Sequence, residues 1–343
     1  MTSGGIKVSI FLIAVSRSIS LAGGQNRLGT DAAPELSIPV GARDIALAGS
    51  NIATTSGIEA IYGNPAGLAR AKDKSNAMFS HTNYIADIGV DYVAASTEWE
   101  GVGVIGLSLK SIAVGDIPIT TDDQPEGTGG TFSPTIVNLG LTYSRLLTDR
   151  ISVGVTPTFI SERFDKVSAT GFALSAGVQY NGLGGVNGLS VGVGVKNIGP
   201  QMQFQGDGLL RQGQATFSRV TAASSELPSA IEIGLAYALD VGELNGLSVS
   251  GLFQNNNFST DEYKIGAEYG YDNTFFIRGG YDLAESRTNT SLTVSDQTTF
   301  IYGFAAGAGV HYRIGNLDLS FDYAFRAVSF FQDNHVFSMK IGF

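Results

Sequence analysis

Few stretches of the chain carry residue types at a spacing that could do chemistry. Gly188–Leu189–Ser190–Val191–Gly192 fits the G-x-S-x-G pattern of a nucleophilic serine, but that chemistry needs a strand-to-helix elbow to expose the hydroxyl. Here the serine lies inside a Gly/Val alternation of strand period, so no nucleophile is expected. Gly101–Val102–Gly103–Val104–Ile105–Gly106 has the glycine spacing of a dinucleotide loop. Such a loop must feed a helix whose N-terminus meets the pyrophosphate, and no helical pattern follows. His81, His311 and His335 stand at no metal-ligand spacing, although His311 falls on the small-residue side of its segment and would line an interior. Asp122, Asp123 and Glu126 could offer oxygens to calcium, yet a solvated loop is the simpler reading. No catalytic residue, metal or cofactor is therefore expected.

Composition narrows the scaffold. The 343 residues carry a net charge of -10, a pI near 4.8, no cysteine and 45 glycines. The acidic balance excludes the basic stripe of a nucleic-acid binder, and the missing cysteines exclude disulfides and thiolate metal sites. Charged residues are 15% of the chain, against about 25% in ordinary soluble domains. Glycine is nearly twice its usual share of about 7%. A barrel in lipid tolerates both, because its outer band faces hydrocarbon.

One run is continuously apolar. Lys7 precedes Val8 to Val15, and Ser20–Leu21–Ala22 supplies small residues for cleavage. Residues 1–22 therefore read as a secretory signal peptide, since a spanning helix needs about 20 apolar residues. If the remainder enters a membrane it must do so as a closed barrel, which leaves no backbone group unpaired in lipid.

Residues 73–343 alternate with period two, the period of a strand. Phe337, Met339, Ile341 and Phe343 share one face of the last segment, opposite Ser338, Lys340 and Gly342. Leu317, Leu319, Phe321, Tyr323 and Phe325 do the same in the segment before it. The aromatic face suits lipid and its interfaces. The opposite face, rich in Gly, Ser, Thr and Asn with scattered charges, suits a polar lumen. A soluble sandwich would also alternate, but would not favour glycine, which weakens strands and marks close backbone approach.

About fourteen segments follow, near 75–83, 90–99, 102–113, 135–147, 150–163, 168–181, 188–198, 229–239, 246–256, 260–271, 273–282, 299–313, 316–327 and 334–343. The polar connections 114–133, 199–228 and 284–298 are long, as outward-facing loops are in such barrels. The fold class is thus all-β, a transmembrane antiparallel barrel of about 14 strands. A lumen this wide must be filled with water or plugged. Residues 23–72, alanine-rich and weakly helical over 36–72, are the right size for a small N-terminal hatch.

Within that segment, Gly41–Ala42–Arg43, Leu47–Ala48–Gly49, Glu59–Ala60–Ile61–Tyr62 and Asn64–Pro65–Ala66–Gly67–Leu68 resemble the N-terminus of PorV/PorQ proteins, relatives of the FadL long-chain fatty acid transporters. The resemblance implies a FadL-like barrel of the bacterial outer membrane with Asn64, Pro65, Ala66 and Gly67 marking the hatch. It also implies binding, shuttling or anchoring of secreted cargo in type IX secretion. The partners would then be the cargo's C-terminal domains, other secretion components and outer-membrane lipid. The alternating terminus Phe337, Met339, Ile341 and Phe343 resembles the signal read by the barrel-assembly machinery. The alternative expectation is a transporter of hydrophobic small molecules, favoured by an apolar pocket between hatch and wall; a polar, blocked lumen favours protein binding.

Overall fold

The computed structural model describes Arg27, residues 29–206, residues 221–284 and residues 300–343, with short pieces of two long loops at Gly208, 210–212, 217–219, 288–289 and 296–297. The signal segment 1–22 and most of 284–298 lie outside the described residues.

Fourteen long strands form one closed antiparallel barrel: β1 (Ser75–Asn83), β2 (Gly89–Trp99), β3 (Gly103–Ala113), β4 (Thr135–Leu146), β5 (Ile151–Phe164), β6 (Val167–Asn181), β7 (Leu189–Ile198), β8 (Ala230–Asp240), β9 (Asn245–Asn256), β10 (Glu262–Tyr271), β11 (Phe275–Ala284), β12 (Tyr302–Ile314), β13 (Leu317–Val328) and β14 (Asn334–Gly342). Each strand pairs with its neighbour in sequence. The seam closes where β14 pairs β1, from Asn76 opposite Gly342 to Asn83 opposite His335. Each is long enough to cross a bilayer, which takes about 9–11 residues of tilted strand.

The connections sort by length onto the two ends. Those after β2, β4, β6, β8, β10 and β12 are short. The tightest is the two-residue Gly315–Asn316 turn between Ile314 and Leu317, where Gly315 takes φ 61°, a conformation that glycine adopts without steric cost. The three long connections leave β3, β7 and β11 at the opposite end. The wall is irregular at few places. The β12–β13 register shifts between Tyr302 and Ala305, and Pro157 interrupts the β4–β5 ladder, as expected of a residue with no N–H to donate.

Side chains alternate across this wall. Leu107, Phe172, Leu235, Ile277, Phe304, Phe321 and Phe337 are exposed on the outer surface, whereas Ser80, Thr142, Gln179, Arg278 and Ser338 are buried on the inner one. The barrel is inside out relative to a soluble protein, and its exterior is the apolar band of a membrane protein.

Residues 29–74 fill the lumen. They contain one short helix, α1 (Ala42–Ala46), and 3-10 turns at Pro34–Ser37, Gly57–Ile61 and Pro65–Arg70. This is less regular helix than the alanine content suggests, because the chain follows the wall rather than its own axis. Three apolar clusters among the described residues join the hatch to the wall and its loops. Ile58, Ile61 and Leu68 meet Met78, Val90 and Tyr92; Ala33 and Leu36 meet Ile160, Met202 and Leu227; Ala42 and Ile45 meet Ala324 and Val336.

Glycines receive the hatch. A methyl group added at Gly106, Gly154, Gly177, Gly192, Gly234, Gly266, Gly280 or Gly307 would overlap hatch atoms. These positions lie on eight different strands, so the small-residue face is a docking surface as well as a lumen lining.

Leu235 sits midway along β8 on the outer face, 53% exposed. Leu235→Arg is expected to destabilise the barrel by about 2–4 kcal/mol in phospholipid vesicles. Denaturant unfolding checks this, and Leu235→Ile should leave stability unchanged within error.

Candidate functional site

The Asn64–Gly67 motif lies at the short-turn end of the lumen. Asn64 is fully buried and caps the Pro65–Arg70 turn, its Oδ1 accepting from the Ala66 N–H at 3.2 Å. Its Nδ2 donates to the Ile52 carbonyl at 3.0 Å and to Val178 on β6 at 3.3 Å. One amide thus ties two hatch segments to the wall. Gln179, also on β6, donates to the carbonyls of Ile52 and Thr55 at 2.9 and 2.8 Å. Ser144 on β4 donates to the Ala66 carbonyl and accepts from the Ala69 N–H. Pro65 contributes a first helical position that needs no donor. Gly67 leaves room for the Thr55 carbonyl, which a Cβ would strike.

Deeper charges hold the middle of the hatch. Arg43 of α1 grips Glu268 on β10 through Nε (2.8 Å) and Nη2 (2.9 Å) and reaches Glu59 at 3.4 Å. Glu268 also accepts from Arg278 on β11 at 2.5 Å, and Arg278 donates to Asp322 on β13 at 2.6 Å. Lys340 on β14 bridges Glu59 at 2.8 Å and Asp322 at 3.2 Å. Buried charges persist only when paired and hydrogen-bonded, and here the pairing links the hatch to four strands. These residues escape sequence reasoning as a group. Arg43 and Glu59 stand in the sequence only as members of the hatch motifs, and Glu268, Arg278, Asp322 and Lys340 only as single charges on strands; hatch placement and barrel register bring them together.

Toward the long-loop end the packing opens. A cavity of about 310 Å³ separates hatch from wall, lined by Ile38, Ile45 and Ile52 as well as Tyr62, Tyr84 and Tyr302. Its charges balance: Asp44, Glu232 and Glu262 against Lys196, Lys264 and Arg326. Lys196 pairs Glu232 at 3.1 Å and Lys264 pairs Glu262 at 2.7 Å. Arg326 lies over the Tyr302 ring at 3.5 Å, a cation–π contact. The chamber is amphipathic, which is more polar than a hydrocarbon site requires.

Other sequence candidates are dispersed. Ser190 is buried within β7, and residues 103–106 open β3, so neither glycine motif meets a helix. His311 lies 3.8 Å from Asp322 and packs with its ring tilted against Phe276; His335 hydrogen-bonds Tyr323; His81 meets Asp91 at 2.7 Å. Asp122, Asp123 and Glu126 are exposed in a loop, and no cluster of three metal ligands exists among the described residues. Phe337, Met339 and Phe343 face outward and Ile341 is half-buried beside them.

No protein-family model and no curated protein matches the sequence. Among solved structures the chain is similar to the CymD monoaromatic hydrocarbon channel, at TM-score 0.53 and 13% identity over 89% of this chain and 97% of that one. It is similar to the Pseudomonas putida toluene transporter TodX at TM-score 0.53 and 11% identity, over 88% and 96% of the two chains. The Ralstonia pickettii toluene transporter TbuX gives 0.52 and 13% over 88% and 98%. At such identities what is shared is the fold, a FadL-like barrel.

Asp44 sits in the hatch between the ion-pair cluster and the cavity. Burial, reinforced by the Glu59 carboxylate, pushes its carboxyl up to about 6 despite a hydrogen bond from Asn51 and the nearby Arg43 and Lys196. A folded-state value above the unfolded one means that the seated hatch binds this proton more tightly. Its seating should therefore strengthen as pH falls from 7 toward 4. Protease protection of the hatch is expected to be greater at pH 5 than at pH 8, and Asp44→Asn should reduce that difference.

Proposed function

We propose that this protein is a channel of the bacterial outer membrane, exported behind residues 1–22, that admits a small amphipathic molecule into the chamber between hatch and wall. The observation that carries this reading is the 310 Å³ cavity itself. It joins apolar hatch side chains to a polar wall, in a barrel sharing its fold with monoaromatic hydrocarbon channels and toluene transporters. The balanced charges around it favour a molecule with a polar group over a bare hydrocarbon, since stripping water from charged side chains without replacement is costly. The mechanism is binding and passage rather than catalysis. Phe337, Met339, Ile341 and Phe343 would serve the assembly machinery that inserts the barrel.

A second reading is cargo handling of the PorV/PorQ kind. It draws support from the firmness of the hatch, docked on glycines of eight strands and gripped by buried ion pairs. That arrangement suits a permanent plug whose barrel presents loops 114–133 and 199–228 to another protein.

Reconstitution into vesicles separates the two. Labelled benzyl alcohol is expected to enter vesicles containing the barrel several-fold faster than protein-free vesicles of the same lipid. Unchanged entry, together with recovery of secreted proteins sharing a C-terminal domain in a detergent pull-down, would replace the channel reading with the cargo one.

A further inference from the structure

The chamber beside the hatch is not the last hollow in the lumen. At the short-turn end a recess of about 470 Å³ runs up the inner face of β8, β9 and β10. Ala238, Asp240, Gly246, Ser248 and Glu268 line it inside the wall, and the exposed turns at 242–244 and 272–273 form its rim. Ala238 and Asp240 face the lumen yet are exposed, and a methyl group added at Gly246 would meet nothing within 4 Å. The hatch does not fill this end.

Only a thin septum separates chamber from recess. Along β10, Lys264 lines the chamber and Glu268 the recess, with Gly266 the one inward-facing residue between them. A strand rises about 3.3 Å per residue, so these two linings stand roughly 13 Å apart along the wall. Along β9, Gln254 and Ser248 play the same parts, with Leu252 and Ser250 between them.

The septum itself is the hatch turn Leu47 to Ser50. A Cβ added at Gly266 would strike Leu47 and Ser50, and the Ser50 hydroxyl meets that of Ser250 at 2.7 Å. Ala48 and Gly49 take φ of 53° and 74°. The left-handed region is costly for a residue with a Cβ, and such strain clusters where structures switch. Fixed points flank the turn: Arg43 is held by Glu268, and the Ile52 carbonyl accepts from Asn64 and Gln179. The turn can therefore shift while the hatch stays in the barrel.

We propose that this turn is a gate, and that a molecule held in the chamber leaves along β9 and β10, through the recess, into the periplasm. The Ser50–Ser250 hydrogen bond closes the gate. Withdrawal of the turn from Gly266 joins the two hollows into one axial path, with no breach of the strand wall. This assignment rests on the channel reading and supplies its exit.

Entry of labelled benzyl alcohol into vesicles tests it. The Ser50 and Ser250 hydroxyls are close enough for Ser50→Cys with Ser250→Cys to form a disulfide, and the chain has no cysteine to compete. The oxidised pair is expected to admit no more than protein-free vesicles, and reduction should restore the wild-type rate. Ser248 belongs to the recess and not to the chamber. Ser248→Trp should therefore cut entry at least fivefold while calorimetry shows benzyl alcohol binding unchanged. Heat-modifiable gel mobility confirms that each variant has assembled; if Ser248→Trp does not, Ala238→Trp carries the same expectation. Wild-type rates from the oxidised pair or from the recess-filled variant overturn the axial exit and leave the channel reading standing, with a sideways route through the wall. Absence of entry through the wild-type barrel overturns both.

Discussion

The structure depends on how closely one backbone can approach another inside a closed wall. A fourteen-strand barrel leaves a space that wall side chains cannot fill, and here a second length of chain must fill it. That chain brings its own amides and carbonyls, which cannot be buried unpaired. The wall answers with two kinds of residue. Glycines on eight strands let hatch atoms lie against the strand backbone, while Gln179, Ser144 and Ser338 pair with hatch groups that would otherwise be stranded. Neither would suffice alone: contact without partners would bury unsatisfied dipoles, and partners without close contact would leave the lumen wet.

The charged residues divide the lumen into regions of opposite character. Around Arg43, Glu59, Glu268, Arg278, Asp322 and Lys340, acids and bases neutralise one another at contact distance and lock the hatch. Nearer the long-loop end the same pairing surrounds an opening instead of closing it. In a small cavity beside Tyr62, Lys196 stays paired with Glu232, while Lys110 donates to the backbone carbonyls of Glu35 and Ile38 and the Asn138 amide lacks a partner. Paired charge thus closes one part of the lumen and frames an opening in another.

Much of the scaffold was legible in the sequence, for a reason visible strand by strand. In β13, Leu317 to Phe325 alternate without a break, so the segment and its lipid face follow from period alone. Segment limits drifted where the ladder is irregular: 299–313 was expected and Tyr302–Ile314 forms, with the register shift just inside its start. The glycines were legible as a face but not as a dock, because composition cannot say what presses against Gly177 or Gly192. The chambers were not legible at all. Lys110 and Lys196 are 86 residues apart in sequence, and only the barrel register and the intervening Tyr62 make them neighbours.

The seam between the last strand and the first is more than the place where the sheet ends. On its outer side β14 offers Phe337 and Met339 to lipid, while on its inner side Ser338 accepts from the α1 backbone at Ala42 and Lys340 pairs with Glu59. The strand that completes the circumference therefore also completes the attachment of the plug. A barrel closing around a correctly lodged hatch gains these contacts, and one closing around an empty or misplaced hatch does not. Closure and filling are thereby energetically coupled through the final strand.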